Sequence, residues 1–279
     1  MSHVTDDDRE PLETIPGRPP VVDAATWQAA RDELLDREKA HTREGDAIAA
    51  ARRRLPMVEI DGDTPVTGPD GPVPFRELFA GREELLVYKH MWHDGAPHQG
   101  QCEGCTITAW NTRETVYLAA RGISFAILTT GAWDEVERFV HFMGYPQPWY
   151  SVRGLPEPIG GDMGHLCSFL RVGERVFLTY SMTGRGTEFM AYELAMMDLT
   201  PYGRREGWQE VPEGWPAPIE SGAPIGGHGF PISVFWRTDA DGVPTWGPTG
   251  RPVPQWTRPG ATPVTTTGRH DDCCSGPEA

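Results

Sequence analysis

Glu84-Leu85-Leu86-Val87-Tyr88-Lys89-His90 opens the stretch that decides how this chain is read. A His-rich turn follows, then Gln101-Cys102-Glu103-Gly104-Cys105-Thr106, a helical pattern over residues 108–121, and a second apolar run over residues 123–128. The two apolar runs, 85–88 and 123–128, have the length of strands, and a helix between them makes a parallel crossover. A strand, a CxxC at a helix start and a second strand are the order of a thioredoxin-like βαβ unit.

The CxxC has a definite chemistry in that setting. Two cysteines separated by two residues can close a small disulfide ring. Unpaired N–H groups and the positive dipole end of a helix stabilise a thiolate placed before its first turn. Cys102 is the expected attacking thiol, being farther from the helix body and more exposed, and Cys105 the resolving one. His93 or His98, near Cys102 in the same loop, could tune its thiolate. Arg185, beyond a later strand end, is a further candidate near the thiols, whereas Arg121 ends the CxxC helix too far along to reach them.

A second reading uses the same loop. His90, His93, His98, Cys102 and Cys105 give H-x2-H-x4-H-x3-C-x2-C, and zinc accepts a tetrahedral set of thiolates and imidazoles. Structural zinc more often ties two separated ligand pairs together, and here all five residues are local. A peroxiredoxin-type peroxidase is not supported. Counting back from Cys105 puts Cys102 and His98 where Thr/Ser and Pro would stand, and counting back from Cys102 gives Gln99 and Gly95.

Outward toward the N-terminus, residues 1–22 are acidic and Pro-rich and read as a disordered leader. Residues 23–56 form a helical arm capped by Asp23 or Thr26, with Trp27, Ala30, Leu34 and Leu35 at helical spacing for one narrow packed face. Such an arm could lie across the core or across a second subunit, making a homo-oligomer. Residues 57–60 read as a strand, 68–71 as a turn, 73–75 as its returning partner, and 75–79 as one helical turn closed by Gly81.

Toward the C-terminus, residues 132–143 form an amphipathic helix ended by Gly144. Residues 150–152 enter a strand, and 168–172 with 176–182 form the clearest hairpin. Cys167 at its start is a buried, inert thiol. No proline stands directly before that hairpin, where thioredoxins place a cis-proline facing the CxxC. Residues 188–199 read as a helix covering one face of the sheet. Past residue 208 the chain becomes a Pro/Gly-rich extension with a second hairpin, 232–237 with 243–246, and a flexible tail carrying Cys273 and Cys274. The domain expected over 57–207 is thus flanked by an arm and the extension 208–279.

Composition limits the rest. Net charge −15 argues against nucleic acid and anionic membrane as partners. No apolar run approaches the roughly 20 residues that span a bilayer. An acidic N-terminus without an apolar core is no secretory signal, and five cysteines suit a reducing cytoplasm better than a disulfide scaffold. With 32 Gly and 27 Pro in 279 residues, loops should take much of the chain.

Many ordered stretches resemble one family. They include Trp27-Gln28-Ala29-Ala30-Arg31, Arg53-Arg54-Leu55-Pro56, Leu78-Phe79-Ala80-Gly81-Arg82 and the segment from Val87-Tyr88 to Cys105. Further along they include Phe142-Met143-Gly144, Pro148-Trp149-Tyr150-Ser151, Arg185-Gly186 and Leu199-Thr200-Pro201-Tyr202-Gly203-Arg204. Over about residues 20 to 217 the chain resembles the bacterial thioredoxin-like family known as domain of unknown function 899, described as dithiol–disulfide oxidoreductases by prediction. The resemblance implies a thioredoxin-like sheet with the CxxC at Cys102 and Cys105, and no established substrate. Lys89-His90-Met91-Trp92-His93 stands where many members carry His-Phe-Met-Phe-Gly. Glu103-Gly104 replaces a Pro-containing pair, a change expected to alter the disulfide's potential.

The expectation is therefore an α/β chain with a thioredoxin-like central sheet flanked by helices, an N-terminal helical arm and a Pro/Gly-rich C-terminal extension. Its expected activity is cytoplasmic dithiol–disulfide exchange with a protein or small-molecule thiol or disulfide, needing no bound cofactor. The alternatives are a metal-binding Cys/His loop on the same fold and a non-catalytic oligomeric interaction protein.

Overall fold

The computed structural model describes residues 17–96, 98, 101–204, 209, 210 and 212–215. The acidic leader before residue 17, the expected C-terminal hairpin and Cys273-Cys274 lie outside the described residues. The described chain divides into two compact units, residues 56–196 and residues 17–55 with 197–215.

The larger unit is one eight-stranded sheet. Its strands are β1 (Val58–Ile60), β2 (Pro65–Gly68), β3 (Gly71–Pro74), β4 (Glu84–His90), β5 (Ile123–Thr129), β6 (Trp149–Ser151), β7 (His165–Val172) and β8 (Arg175–Thr183). They lie in the order β1-β8-β7-β4-β5-β6-β2-β3. β4 and β5 run parallel, with Tyr88 opposite Ile127 and His90 opposite Thr129. β7 is antiparallel to β4 and to β8. Central strands β8-β7-β4-β5, with a helical crossover between the parallel pair, make the sheet thioredoxin-like.

β4 and β5 are covered on both faces, which is why each reads as a nearly continuous apolar run. Side chains nonetheless alternate between two cores. Leu85, Val87, Ala126 and Leu128 join Phe75, Phe79, Phe169 and Val176 on one face. Tyr88, Phe125 and Ile127 join Val136, Phe139, Met143 and Trp149 on the other, together with both CxxC cysteines. This second face is covered by α2 (Glu103–Asn111) and α4 (Trp133–Met143), with the short α3 (Val116–Ala119) between them in sequence.

Two helices depart from the sequence reading. The expected helix over 108–121 starts earlier, at Glu103, so Cys105 lies inside its first turn, and it breaks after Asn111. At the break Thr112 Oγ1 turns back to the Thr108 carbonyl at 2.9 Å, and Glu114 Oε1 accepts the Val116 N–H at 2.7 Å, opening α3 as a separate turn. Side chains that bond the local backbone in this way compete with helix continuation. The expected helix over 188–199 is instead a 3-10 helix, Gly184–Met190, and a short α5, Tyr192–Met197. The turn over 75–79 is a 3-10 helix closed first by Ala80 in the left-handed region, with Gly81 following it. Gly144 ends α4 at φ 62°, as its place in the sequence predicts.

The smaller unit carries the arm, α1 (Ala24–Arg52), whose N-cap is Asp23: its Oδ1 accepts the Thr26 N–H at 2.7 Å. The face of Trp27, Ala30, Leu34 and Leu35 is not buried within the single chain. No residue of α1 is buried, and Trp27 is 58% exposed. The later part of the unit is held by Arg204, which binds the Asp198 carboxylate through Nε and Nη2. Among the described residues no helix is long and apolar enough to cross a membrane.

Candidate functional site

β4 delivers the chain to the site and α2 carries the thiols. Cys102 is the N-cap residue of α2; its carbonyl accepts the Thr106 N–H at 2.9 Å and the Thr106 hydroxyl at 2.7 Å. α2 is fixed from outside by Tyr145, whose hydroxyl donates to the Thr106 carbonyl at 3.1 Å, and by Gln147, whose amide donates to the Ala109 carbonyl at 2.6 Å. Asn111, at the far end, donates to Glu193 and to the Met190 carbonyl. The first turn of the helix thus has a firm mounting.

All described cysteines are free thiols. Cys102 is 7% exposed and Cys105 1%. Cys102 is the more exposed of the two, as the sequence predicts, and both lie in the core on the α2 face. The loop between β4 and α2 accounts for this. Gln101, itself buried, accepts the His93 N–H through Oε1 and donates through Nε2 to the His93 carbonyl, both at 3.0 Å. Glu135 of α4 accepts from Trp92 Nε1 and from the Gly95 N–H, each at 3.2 Å. Asp94 receives both guanidinium nitrogens of Arg153, at 2.8 and 2.7 Å. Gly131 completes the seat of the loop, because a Cβ there would meet the Trp92 ring at 2.7 Å.

Cys105 receives the Met91 backbone N–H at 3.4 Å from its sulfur. Burial pushes its thiol well above the ordinary range, and the adjoining Cys102 thiol adds to the rise through its hydrogen bond and its charge. Tyr88 and the Met91 N–H act the other way, as donors that favour the Cys105 thiolate. Tyr88 shares its buried cluster with both cysteines, and burial, with the two cysteines beside it, holds the phenol protonated well past its usual range. In the sequence Tyr88 reads only as the end of an apolar run. The signal that could have singled it out is its place two residues before His90, on the same face of β4.

His90 is fully buried with its ring against Trp149, Phe139 and Trp92, at centroid distances of 5.0, 5.9 and 6.4 Å. Neither ring nitrogen makes a well-formed hydrogen bond, its polar surroundings being the backbone at His90 and Met91. Burial, with a smaller contribution from nearby His93, lowers its pKa to about 3. His98 rests on α4, 4.8 Å from the Phe142 ring and 5.9 Å from the Phe139 ring, and burial lowers its pKa also. Arg185 pairs through Nε with Glu188 at 3.1 Å in the 3-10 helix after β8. The structure therefore brings Cys102, Cys105 and Tyr88 together and sets His90 and His98 into aromatic packing. Among the described residues no three His, Cys, Asp or Glu side chains form a group that could hold a metal ion.

The opposite face of β4 holds a second polar cluster. Lys89, one of two lysines in the chain, is buried with its Nζ on the Glu157 carboxylate at 3.1 and 3.3 Å and on the Pro158 and Gly160 carbonyls at 3.3 and 2.5 Å. Cys167, the third residue of β7, is buried on this face, away from the CxxC, and contacts Ser181 at 3.5 Å. The Glu157–Pro158 peptide is cis, but the residue directly before β7 is Gly164, whose N–H donates to the Lys89 carbonyl at 2.6 Å.

The molecule is thus a thioredoxin-like protein with a buried dithiol at the start of the helix after its first central strand. The chain belongs to the bacterial family of unknown function DUF899, whose model matches residues 16–220. No functionally curated protein matches it. Among solved structures it is similar to a protein from Chlorobium tepidum described as a thiol:disulfide interchange protein DsbE. That match has 14% identity and a TM-score of 0.33, over 51% of this chain and 97% of the other.

Proposed function

We propose that the protein is a thiol–disulfide oxidoreductase in which Cys102 attacks a partner disulfide and Cys105 resolves the mixed disulfide. The observation that carries the reading is the asymmetric pair at the α2 N-terminus. Cys102 sits at the cap, beside the helix's unpaired N–H groups, while Cys105 is deeper, keeps its proton through burial and is met by the Met91 N–H. Exchange of this kind needs one thiolate ready to attack and a second thiol held back until the first has reacted. The partner is a protein or small-molecule thiol or disulfide, and the protein chemistry needs no bound cofactor. A cytoplasmic setting fits a chain with few cysteines, those described being free thiols.

The test is pH-dependent alkylation of the as-purified and chelator-treated protein, read by peptide mass spectrometry. The reading expects Cys102 to alkylate with a pKa below the ~8.5 of an unperturbed thiol, and oxidation to link it to Cys105. Protection of both thiols until a chelator is added, or an ordinary Cys102 with no linkage, overturns it.

A further inference from the structure

The residues that leave β4, Met91 to Gly95, are each held by hydrogen bonds. The Met91 N–H meets the Cys105 sulfur at 3.4 Å. His93 bonds Gln101 through its N–H and its carbonyl, and Asp94 takes the Arg153 guanidinium. The other two converge: the Trp92 indole N–H and the Gly95 N–H both donate to one carboxylate oxygen, Oε2 of Glu135, each at 3.2 Å. Glu135 stands in the first turn of α4, whose Val136, Phe139 and Met143 are buried in the core that contains both cysteines. Acidic residues in a helix's first turn ordinarily answer the helix's own dipole, but this one turns an oxygen to a separate segment. The Trp92 ring it holds lies edge-on to Phe139 at 5.5 Å and fills the space where a Cβ on Gly131 would stand, 2.7 Å from the ring. Ring and carboxylate together fix the residue next to Met91.

We propose that Glu135 is a positioning residue for the resolving thiol: by holding Trp92 and Gly95 it keeps the Met91 N–H on the Cys105 sulfur. The inference rests on the dithiol reading above. In the first step the Cys102 thiolate attacks one sulfur of the partner disulfide; an S–S bond forms at Cys102, the partner's own S–S bond breaks, and one partner thiolate leaves and takes up a proton. In the second step the Cys105 sulfur attacks Cys102 Sγ. The Cys102–Cys105 bond forms, the mixed disulfide breaks, and the proton lost by Cys105 ends on the second departing thiolate. The two cysteines are oxidised by two electrons and the partner disulfide is reduced to two thiols. The Met91 N–H bond is strongest when Cys105 carries negative charge, so its alignment counts in the second step. Glu135 itself exchanges no proton and touches no reacting atom.

The experiment mixes the full chain in its reduced form with 5,5′-dithiobis(2-nitrobenzoate), quenches with acid and N-ethylmaleimide, and digests with trypsin. Both cysteines fall in one peptide, residues 90–113, apart from the other three cysteines of the chain. Its mass shows first the adduct at Cys102 and then the Cys102–Cys105 disulfide. Glu135→Ala and Glu135→Gln remove the same charge, but glutamine keeps an acceptor oxygen. The adduct should form at rates within about twofold in the two variants. Its conversion to the disulfide should stay near the wild-type rate in Glu135→Gln and slow about fivefold in Glu135→Ala, part of what a hydrogen bond to a charged group supplies. The pH profile of conversion should move to higher pH in Glu135→Ala alone. Trp92→Phe, which keeps a ring against Phe139 and loses the donor, should slow conversion in the same direction. Joined to Glu135→Ala it should add less than about twofold, as residues acting through one contact do. It decides the matter if Glu135→Ala does not fold. Conversion as fast in Glu135→Ala as in Glu135→Gln, or both steps slowed alike, overturns the role of Glu135. Absence of conversion in the wild-type protein overturns the dithiol reading itself.

Discussion

The backbone N–H of Met91 points at the sulfur of Cys105, 3.4 Å away, so the residue leaving β4 and the second cysteine of α2 are joined directly. The contact makes the strand end part of the site around the two cysteines: any movement of Met91 is felt at the Cys105 sulfur. The two sulfurs also differ in surroundings, one at a helix cap and the other walled in by the sheet.

Separate roles for the thiols give separable variants. Cys105→Ser should still release one thiolate from an aromatic disulfide and then stall as a mixed disulfide at Cys102, visible as an added mass on the intact protein. Cys102→Ser should form no such adduct at neutral pH, because Cys105 is buried and keeps its proton. Equal adduct formation by the two variants would contradict the assignment.

His90 predicts an acid limb in stability. Its imidazole remains neutral down to about pH 3, while the unfolded chain takes up that proton near pH 6.5. The unfolded state therefore binds more protons in this window, and stability falls as pH drops from about 6.5 towards 3, by about 1.4 kcal/mol for each pH unit at full slope. Urea titrations across this range should show the loss. His90→Phe, which keeps an aromatic ring against Trp149 and removes the unpaired nitrogens, should flatten it.

Cys105 and Tyr88 predict the opposite limb. Both have raised values in the folded protein, so they favour the native state below their unfolded values and cease to do so as pH rises through the folded ones. Stability should decline above about pH 8.5, where unfolded thiols ionise, and further above about pH 10, where unfolded tyrosine does. Denaturation midpoints at pH 7 and pH 10 measure the loss, and Cys105→Ala should remove its lower part.

Lys89→Met should destabilise the protein by about 2 kcal/mol, the scale of hydrogen bonds to a charged group. The cost stays below that of a wholly buried pair because Glu157 is 55% exposed and regains water. The Pro158 and Gly160 carbonyls lose their donor. Urea denaturation gives the magnitude, and proteolysis in the segment before β7 should quicken.

The central sheet was legible because β4 and β5 are covered on both faces and leave unbroken apolar runs, and because the turn through Gly173 joins two alternating strands. The CxxC was legible from spacing alone. The break in the helix at Thr112 was not, since Thr112 and Glu114 suit an exposed helical turn as well as the local bonds they make. The arm was legible as a helix from its spacing, while Trp27 and Leu34 are exposed within the single chain. That Tyr88 shares one buried cluster with Cys102 and Cys105 stayed hidden because only the fold brings them together.

Tyr88-Lys89-His90 also fixes how the strand can be threaded. Successive side chains on a strand face opposite ways, so sliding β4 by one residue exchanges its two faces. The slipped strand would thrust the ammonium of Lys89 among Phe139 and Trp149 and leave the Glu157 carboxylate facing a phenol or an imidazole. Neither mistake can be relieved without the other. Three consecutive residues, two for one side and one for the other, act as a key that admits a single alignment of the strand carrying the chain into its dithiol.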